Sequence, residues 1–190
     1  MCDPEGHMHT ALTRLDVERL LAGGLCIRAA TQDDLPRLTE IYNHYVGTPT
    51  TFDTEPFTVE QRAAWFSHYA PAGRHRLLVA EAGGHVLAYT SSSRFHPRAA
   101  YDTTVEMTIL CAPEAIGFGL GQRLYTEIFE QLRGEDIRLA MAAITLPNDA
   151  SCAIHERFGF TRVGVLPDVG RKFDQYWDVV WYARPLGVGR

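Results

Sequence analysis

No apolar run in the chain approaches the roughly eighteen residues that a membrane-spanning helix needs, so no transmembrane segment is expected. Met1 to Thr10 carry acids and histidines and no apolar core, which is not the pattern of a secretion signal. Cysteine is scarce. Cys2, Cys26, Cys111 and Cys152 form no CxxC pair and have no zinc spacing. A reducing cytoplasm is therefore expected, with Cys26, Cys111 and Cys152 as small core residues. His7-Met8-His9 is a short terminal tract and reads as a tail, so no metal is expected. An excess of basic charge is also missing. The net charge of −5 argues against nucleic acid as the main partner. It leaves room for an anionic cofactor, because a local nest of amides can hold phosphate. The Gly-Lys-Ser/Thr of a Walker loop is absent.

What is present suits one domain with a proper core: 190 residues, 46% of them hydrophobic. Leu12 to Ala22 has the pattern of a short amphipathic helix, stopped by Gly23-Gly24, so residues 1–24 read as an extension and 25–190 as the domain. A strand is expected at Leu25 to Arg28. Thr31 then caps a helix, with Asp34 in the capping-box position and Leu35, Leu38, Ile41, Tyr42 and Tyr45 on its apolar face. A second box at Thr58 opens a helix running through Trp65-Phe66 to Tyr69. Period-two strands follow at Arg76–Glu81 and His85–Arg94, joined by Ala82-Gly83-Gly84, and a third at Val105–Cys111. Then come a helix at Gln122–Leu132 and an apolar strand at Ile137–Ile144, expected to be buried on both faces. A helix at Asp149–Phe158 ends at Gly159, and strands at Thr161–Leu166 and Gln175–Arg184 close the domain. This order implies an α/β fold: one mixed sheet with helices on both faces.

The most informative segment runs from Val105 to Leu124. A strand passes into Gly117-Phe118-Gly119-Leu120-Gly121, and these open a helix. Alternating glycines let the backbone bend and uncover its N–H groups. The helix start adds unpaired N–H groups and a positive dipole end, so together they can cradle a pyrophosphate without Lys or Arg. On residue type alone, glycines that merely permit a turn are an equal alternative. A dinucleotide site is weakened by the G-x-G-x-G spacing and by the next strand ending Ala142-Ala143-Ile144-Thr145 with no acid.

With these residues in hand, the chain resembles the GNAT superfamily of N-acetyltransferases. More narrowly, it resembles the phosphinothricin and methionine sulfone/sulfoximine N-acetyltransferases, from about Ile27 to Leu186. The segments that carry the resemblance are Ile41-Tyr42-Asn43-His44-Tyr45, Phe52-Asp53-Thr54-Glu55-Pro56, Tyr101-Asp102-Thr103-Thr104-Val105-Glu106, the glycine turn, Leu146 to Ser151, His155 to Phe160, Val169 to Phe173 and Trp177-Asp178-Val179. The resemblance implies a single α+β-type domain with a twisted, mostly antiparallel sheet, a homodimer and acetyl-CoA as cosubstrate. Ile116 and Phe118 depart from it, since the superfamily carries Gln or Arg at the first position and often a polar or basic residue at the second. Backbone amides are left to hold the phosphates.

The resemblance further implies that Ile109, Leu110 and Cys111 lie along the cofactor, with Gly117, Phe118, Gly119, Leu120, Gly121 and Gln122 at its pyrophosphate. Asn148 and Ser151 hold the pantetheine arm or nearby phosphate. Acetyl transfer to nitrogen needs a neutral amine, and an α-amino group with a pKa of about 8 is mostly protonated at neutral pH. Glu106 is the implied base, although a Glu in a strand is otherwise most often a solvent-facing residue. His155 is the implied acid or base; a half-exposed helix histidine is the plainer alternative. Arg98, Tyr101, Phe52 and Thr145 are implied at the acceptor, with Arg98 suited to a carboxylate. Phe52 equally suits core packing. His96 stands where a relative can carry Lys, and Trp65 and Trp177 read as core. The expected reaction is direct transfer in a ternary complex, with Cys111 packing and not reacting and a backbone N–H near Leu110 meeting the oxyanion. Two other readings remain: acetylation of a protein N-terminus or polyamine, and an acyl-CoA sensor without catalysis.

Overall fold

The structure is a computed structural model that describes residues 12–187; Cys2 and the His7-Met8-His9 tract lie outside the described residues. Its helices are α1 (Arg14–Ala22), α2 (Leu35–Val46), α3 (Val59–Phe66), α4 (Leu120–Gln131) and α5 (Asp149–Arg157). Its strands are β1 (Cys26–Ala29), β2 (Leu77–Ala82), β3 (His85–Arg94), β4 (Thr104–Cys111), β5 (Leu139–Thr145), β6 (Thr161–Lys172) and β7 (Gln175–Pro185). They form one seven-stranded sheet in the order β1-β2-β3-β4-β5-β7-β6. Every pairing is antiparallel except β4–β5. This is the mixed, mostly antiparallel sheet expected. Among the described residues, no helix is long and apolar enough to cross a membrane.

Local chemistry fixes the elements. Thr13, Thr31 and Thr58 each complete a reciprocal capping box, with Asp16, Asp34 and Gln61. The Thr31 box opens a single 3-10 turn, and the α-helix starts one turn later at Leu35, where Pro36 occupies the first helical turn. The third expected helix ends at Phe66, and Tyr69 lies beyond it. α1 is tied down by Val17, whose side chain is fully buried in the main core.

Helices cover both faces. Trp65 of α3 packs edge-on against Tyr89 of β3 on one face, and Gly121 of α4 and Ile154 of α5 crowd Ile109 of β4 on the other. The expectation that β5 is buried on both faces fails. Ala140, Ala142 and Ile144 are buried, whereas Ala143 is exposed. Ala143 belongs to a face that borders an opening in the sheet. Cys26 is likewise exposed, because β1 is an edge strand. Trp65 packs against the core as expected; Trp177 is half-buried near the β6–β7 turn, its indole N–H donating to the Lys172 carbonyl. β6 extends six residues beyond the expected Leu166. It carries Pro167 and a left-handed Asp168 (φ 52°) through a register shift between Leu166 and Gly170. Its last residue, Lys172, donates to the carbonyls of Thr48 (2.8 Å) and Thr51 (2.7 Å), pinning the loop that carries Thr50 and Phe52.

α4 and α5 are joined by an aromatic cluster around a buried histidine. His155 is 3% exposed and is surrounded by Tyr125, Phe160 and Tyr182. Its Nδ1 lies 2.7 Å from the Ser151 carbonyl and its Nε2 2.8 Å from the Tyr125 hydroxyl. A carbonyl only accepts, so Nδ1 carries the proton; the neutral ring then accepts at Nε2 from Tyr125. Burial lowers the His155 pKa, partly opposed by the Ser151 carbonyl. The ring is thus held neutral. Tyr125→Phe leaves Nε2 as a buried acceptor without its donor and is expected to cost about 1–3 kcal/mol. Because the folded-state pKa lies below the ordinary 6.5, the contribution of neutral His155 is present above that value. It is lost as pH falls through the lowered one. Urea unfolding of both proteins between pH 5 and pH 8 (roughly the range in which histidine titrates) measures the two effects; equal midpoints for Tyr125→Phe and the parent would refute the bond's importance.

Candidate active site

β4 and β5 pair only through Thr104–Leu139, Val105–Ala140 and Glu106–Met141. β5 goes on pairing with β7 as far as Thr145, and β4 with β3 as far as Cys111. The two central strands therefore part immediately after Glu106 and leave a wedge. The direction of the β4 amides follows from its other partner. Ala112 N–H donates to Leu87 O on the β3 side (2.8 Å), and Thr108 O accepts from the Thr90 hydroxyl there (2.8 Å). Alternation turns the amides of Met107, Ile109 and Cys111 to the β5 side; the Met107 N–H belongs to the last rung of the β4–β5 ladder, so those of Ile109 and Cys111 face the wedge. The Leu110 N–H points to β3, so an acyl oxygen in the wedge would meet the N–H of a neighbour. Tyr45 donates its hydroxyl to the Cys111 carbonyl at 2.7 Å.

A cleft of about 590 Å³ opens from this wedge. Of the expected cofactor residues it is lined by Ile109, Leu110, Cys111, Gly117, Gly119, Leu120, Gly121, Gln122, Asn148 and Ser151; Phe118 turns aside, under the guanidinium of Arg14. Tyr45, Thr50, Ile154 and Arg157 also line it and were not singled out in the sequence. The tyrosine could be found only as an apolar helix position, since its useful end is one hydroxyl. A smaller cavity adjoins between the strands, sharing Thr50, Ile109, Leu110, Asn148 and Ser151 and adding Ala143, Thr145 and His155.

The bend is built for close approach. Gly117 and Gly119 have φ of 92° and 72°, a region that side chains disfavour. At Gly121 a Cβ would lie 2.9 Å from the terminal methyl of Ile154 and 3.0 Å from that of Ile109, so any larger residue must displace both side chains where α4 begins. Asn148 caps α5 by accepting the Ser151 N–H at 3.1 Å, which brings that helix start to the cleft as well. Two helix N-termini thus converge on one groove, a setting for an anion. The residues present fit the phosphates and pantetheine of acetyl-CoA.

Glu106 shares a sheet face with Thr108 and Leu110, and with Ser91 and Ser93 opposite on β3. Burial raises the pKa of its carboxyl. Ser93 stands directly across from it and also lines a second pocket of about 560 Å³, with Trp65, His68, Tyr69, His75, Arg94, Phe95, His96 and Pro97. His75 has its Nε2 buried without a hydrogen-bond partner, and burial followed by Arg94 and Arg74 lowers its pKa. His96 accepts the Arg98 N–H at Nδ1 (3.2 Å), so Nε2 is its free donor position. Tyr101, 41% exposed, packs on His96 and Phe95. Thr145 is buried at the wedge. The Arg98 side chain is exposed on the loop. Phe52 lies apart from Tyr101 and Arg98, its ring against Gly170 of β6. Cys111 has its thiol pushed up to about 11 by burial, against a backbone N–H from Gly121.

Known proteins share this sequence pattern and fold. The Acetyltransferase (GNAT) family description matches residues 38–160. The phosphinothricin N-acetyltransferase of Streptomyces coelicolor is 48% identical over 163 residues, covering 84% of this chain and 95% of its own. The L-methionine sulfoximine/L-methionine sulfone acetyltransferase of Pseudomonas aeruginosa is 35% identical over 156 residues, covering 82% and 91%. The crystal structure of a GNAT superfamily phosphinothricin acetyltransferase from Sinorhizobium meliloti in complex with AcCoA superposes with a TM-score of 0.81 at 31% identity, covering 86% of this chain and 89% of that one. The chain belongs to the GNAT family and is an acetyl-CoA-dependent N-acetyltransferase.

Proposed function

We propose that the chain acetylates the amino group of a small amino-acid-like acceptor, by direct transfer while acetyl-CoA and acceptor are both bound. The observation that carries this is the position of Glu106 at the point where β4 and β5 part, between the glycine-lined cleft and the histidine-lined pocket. Acetyl-CoA supplies an activated acyl group on a thiol that departs readily. Glu106 takes a proton from the acceptor's ammonium, directly or through one water. The wedge-facing N–H groups of Ile109 and Cys111 are the donors for negative charge developing on the acyl oxygen. A thiol held near 11 stays protonated at neutral pH, so Cys111 is unsuited to carry the acyl group. His155 spends both ring nitrogens on Ser151 and Tyr125; we assign it to holding α5, and with it Ser151, against the cleft.

The acceptor side favours an anionic amino acid over a polycation. Arg94 brings a cation to the pocket and His68 and His96 bring imidazole donors, and Trp65, Tyr69 and Phe95 give it aromatic walls. Phosphinothricin and methionine sulfone are acceptors of this kind. Among the described residues, Cys26, Cys111 and Cys152 are free thiols, which suits a reducing cytoplasm. The outer strand β6 exposes Val163, Leu166 and Val169, and we propose that a second copy covers this apolar edge.

Thiol release from acetyl-CoA should occur with phosphinothricin, methionine sulfone or related amino acids and not with spermidine. Release only with peptides would move the acceptor to a protein N-terminus, and release with no amine would favour a sensor. Glu106→Gln should lower kcat/KM about 10²–10⁴-fold near neutral pH. The parent's acid limb should lie above the ordinary carboxylate value of 4.5 and vanish in the variant. The same substitution should stabilise the fold at high pH: a raised carboxyl pKa means that ionisation destabilises the folded state, and the variant's advantage disappears as pH falls below both values. Sedimentation at micromolar concentration should give twice the chain mass, and Leu166→Glu the single mass; a monomeric parent would remove the edge as an interface.

A further inference from the structure

We propose that Arg14, on α1, is a phosphate ligand of the coenzyme A site. The bend from Ile116 to Gln122 contains no Lys or Arg, so its own side chains bring no positive charge to a multiply charged anion. Ile116 is 50% exposed where a cation would be useful. Arg14 reaches that same place from a distant part of the sequence. Its Nη1 donates to the Ile116 carbonyl at 3.1 Å, and its guanidinium carbon lies 4.4 Å from the centre of the Phe118 ring. A Cβ on Gly117 would be 3.6 Å from Nη2 and 3.8 Å from Nη1. The guanidinium therefore brackets Ile116, Gly117 and Phe118 and spends one nitrogen of its fork on the bend. Its remaining donors are available to phosphate oxygen.

The placement is pre-organised. Val17 is fully buried, Leu20 lies against Gly83 in the β2–β3 turn, and the Thr13–Asp16 box holds the start of α1. Of the nearby acids, Asp16 is engaged with Thr13 and Glu114 with Arg37. Arg157, on α5, is the cation among the residues that line the cleft, and Arg14 stands at the bend beside it. Stacking on Phe118 keeps the Arg14 side chain from folding away. α1 thus supplies by tertiary contact what the bend lacks in sequence. The inference rests on the bend being the phosphate cradle. The ligand chemistry is a phosphate ester or diphosphate, which coenzyme A offers twice: in its diphosphate and in its 3′-phosphate.

The test is calorimetric titration of coenzyme A and of dephospho-coenzyme A, alongside turnover of acetyl-CoA and of S-acetylpantetheine, which has no phosphate. Arg14→Ala should weaken coenzyme A binding about tenfold, and Arg14→Lys less. The kcat/KM ratio of acetyl-CoA to S-acetylpantetheine should fall by the same factor. Equal weakening of both coenzymes assigns Arg14 to the diphosphate, and weakening of coenzyme A alone assigns it to the 3′-phosphate. Unchanged affinity, or an equal loss with S-acetylpantetheine, overturns the proposal, because Arg14 would then only shape the bend. Gly121→Val fills the cradle and should abolish binding. If it does so while Arg14→Ala binds normally, Arg14 alone is wrong. If a folded Gly121→Val, checked by circular dichroism, binds coenzyme A as the parent does, the cradle reading fails and Arg14 with it.

Discussion

The molecule is organised around one interruption. A sheet is held by its ladders, and a central pair that stops after Glu106 and Met141 gives up main-chain bonds in the middle of the domain. The loss is tolerable because each strand keeps its other neighbour. β4 is fully paired with β3, and β5 with β7. The amides uncovered in the gap are those of Ile109 and Cys111, and Tyr45 satisfies the Cys111 carbonyl. The uncovered N–H groups turn a structural defect into a set of oriented donors. The starts of α4 and α5 meet the same gap, so it is bordered by positive dipole ends.

The electrostatics run against the composition. A chain of net charge −5 takes a polyanionic cosubstrate, which is sustainable only if the field at the cleft is local. Amides and helix ends provide it at short range. The buried groups nearby are tuned in the opposite sense to one another. Glu106 has its pKa raised by burial and His155 has its pKa lowered by burial, so each is moved towards its neutral form. For Glu106 this makes a carboxylate with more affinity for a proton, as a base requires. For His155, with both nitrogens engaged, it makes a rigid neutral strut.

Much of this was legible in the sequence because periodicity and caps are local. Thr13, Thr31 and Thr58 announced helix starts through their own side chains, and His85–Arg94 stood out as a strand by alternation. The glycine bend announced the cleft. What was missed is non-local. Pro167 and Asp168 look like the end of a strand, yet β6 continues through them because an edge strand needs donors on one side only and can bulge. Ala143 looked buried because Ala, Met and Ile fill β5, but its neighbour on that face is an opening. Tyr45 and Arg157 reach the cleft, and Arg14 the bend beside it, from three separate elements, and nothing in their own neighbourhoods signals it.

The strand β4 serves two sites through its pleat. Val105, Met107 and Ile109 point to the face covered by α4 and α5; Glu106, Thr108 and Leu110 point to the face with Ser91, Ser93 and Tyr69. A slip of one residue would exchange the two sets, burying the carboxylate beneath α4 and presenting Ile109 to the acceptor. The uninterrupted β3–β4 register, from Arg94–Val105 to Ala88–Cys111, prevents it. That register also places Ser93 opposite Glu106, so the pocket with His75 and His96 begins one strand away from the proposed base. In the proposed reaction the two substrates lie on opposite sides of the parting strands, and the gap that separates β4 from β5 is the place where they would meet.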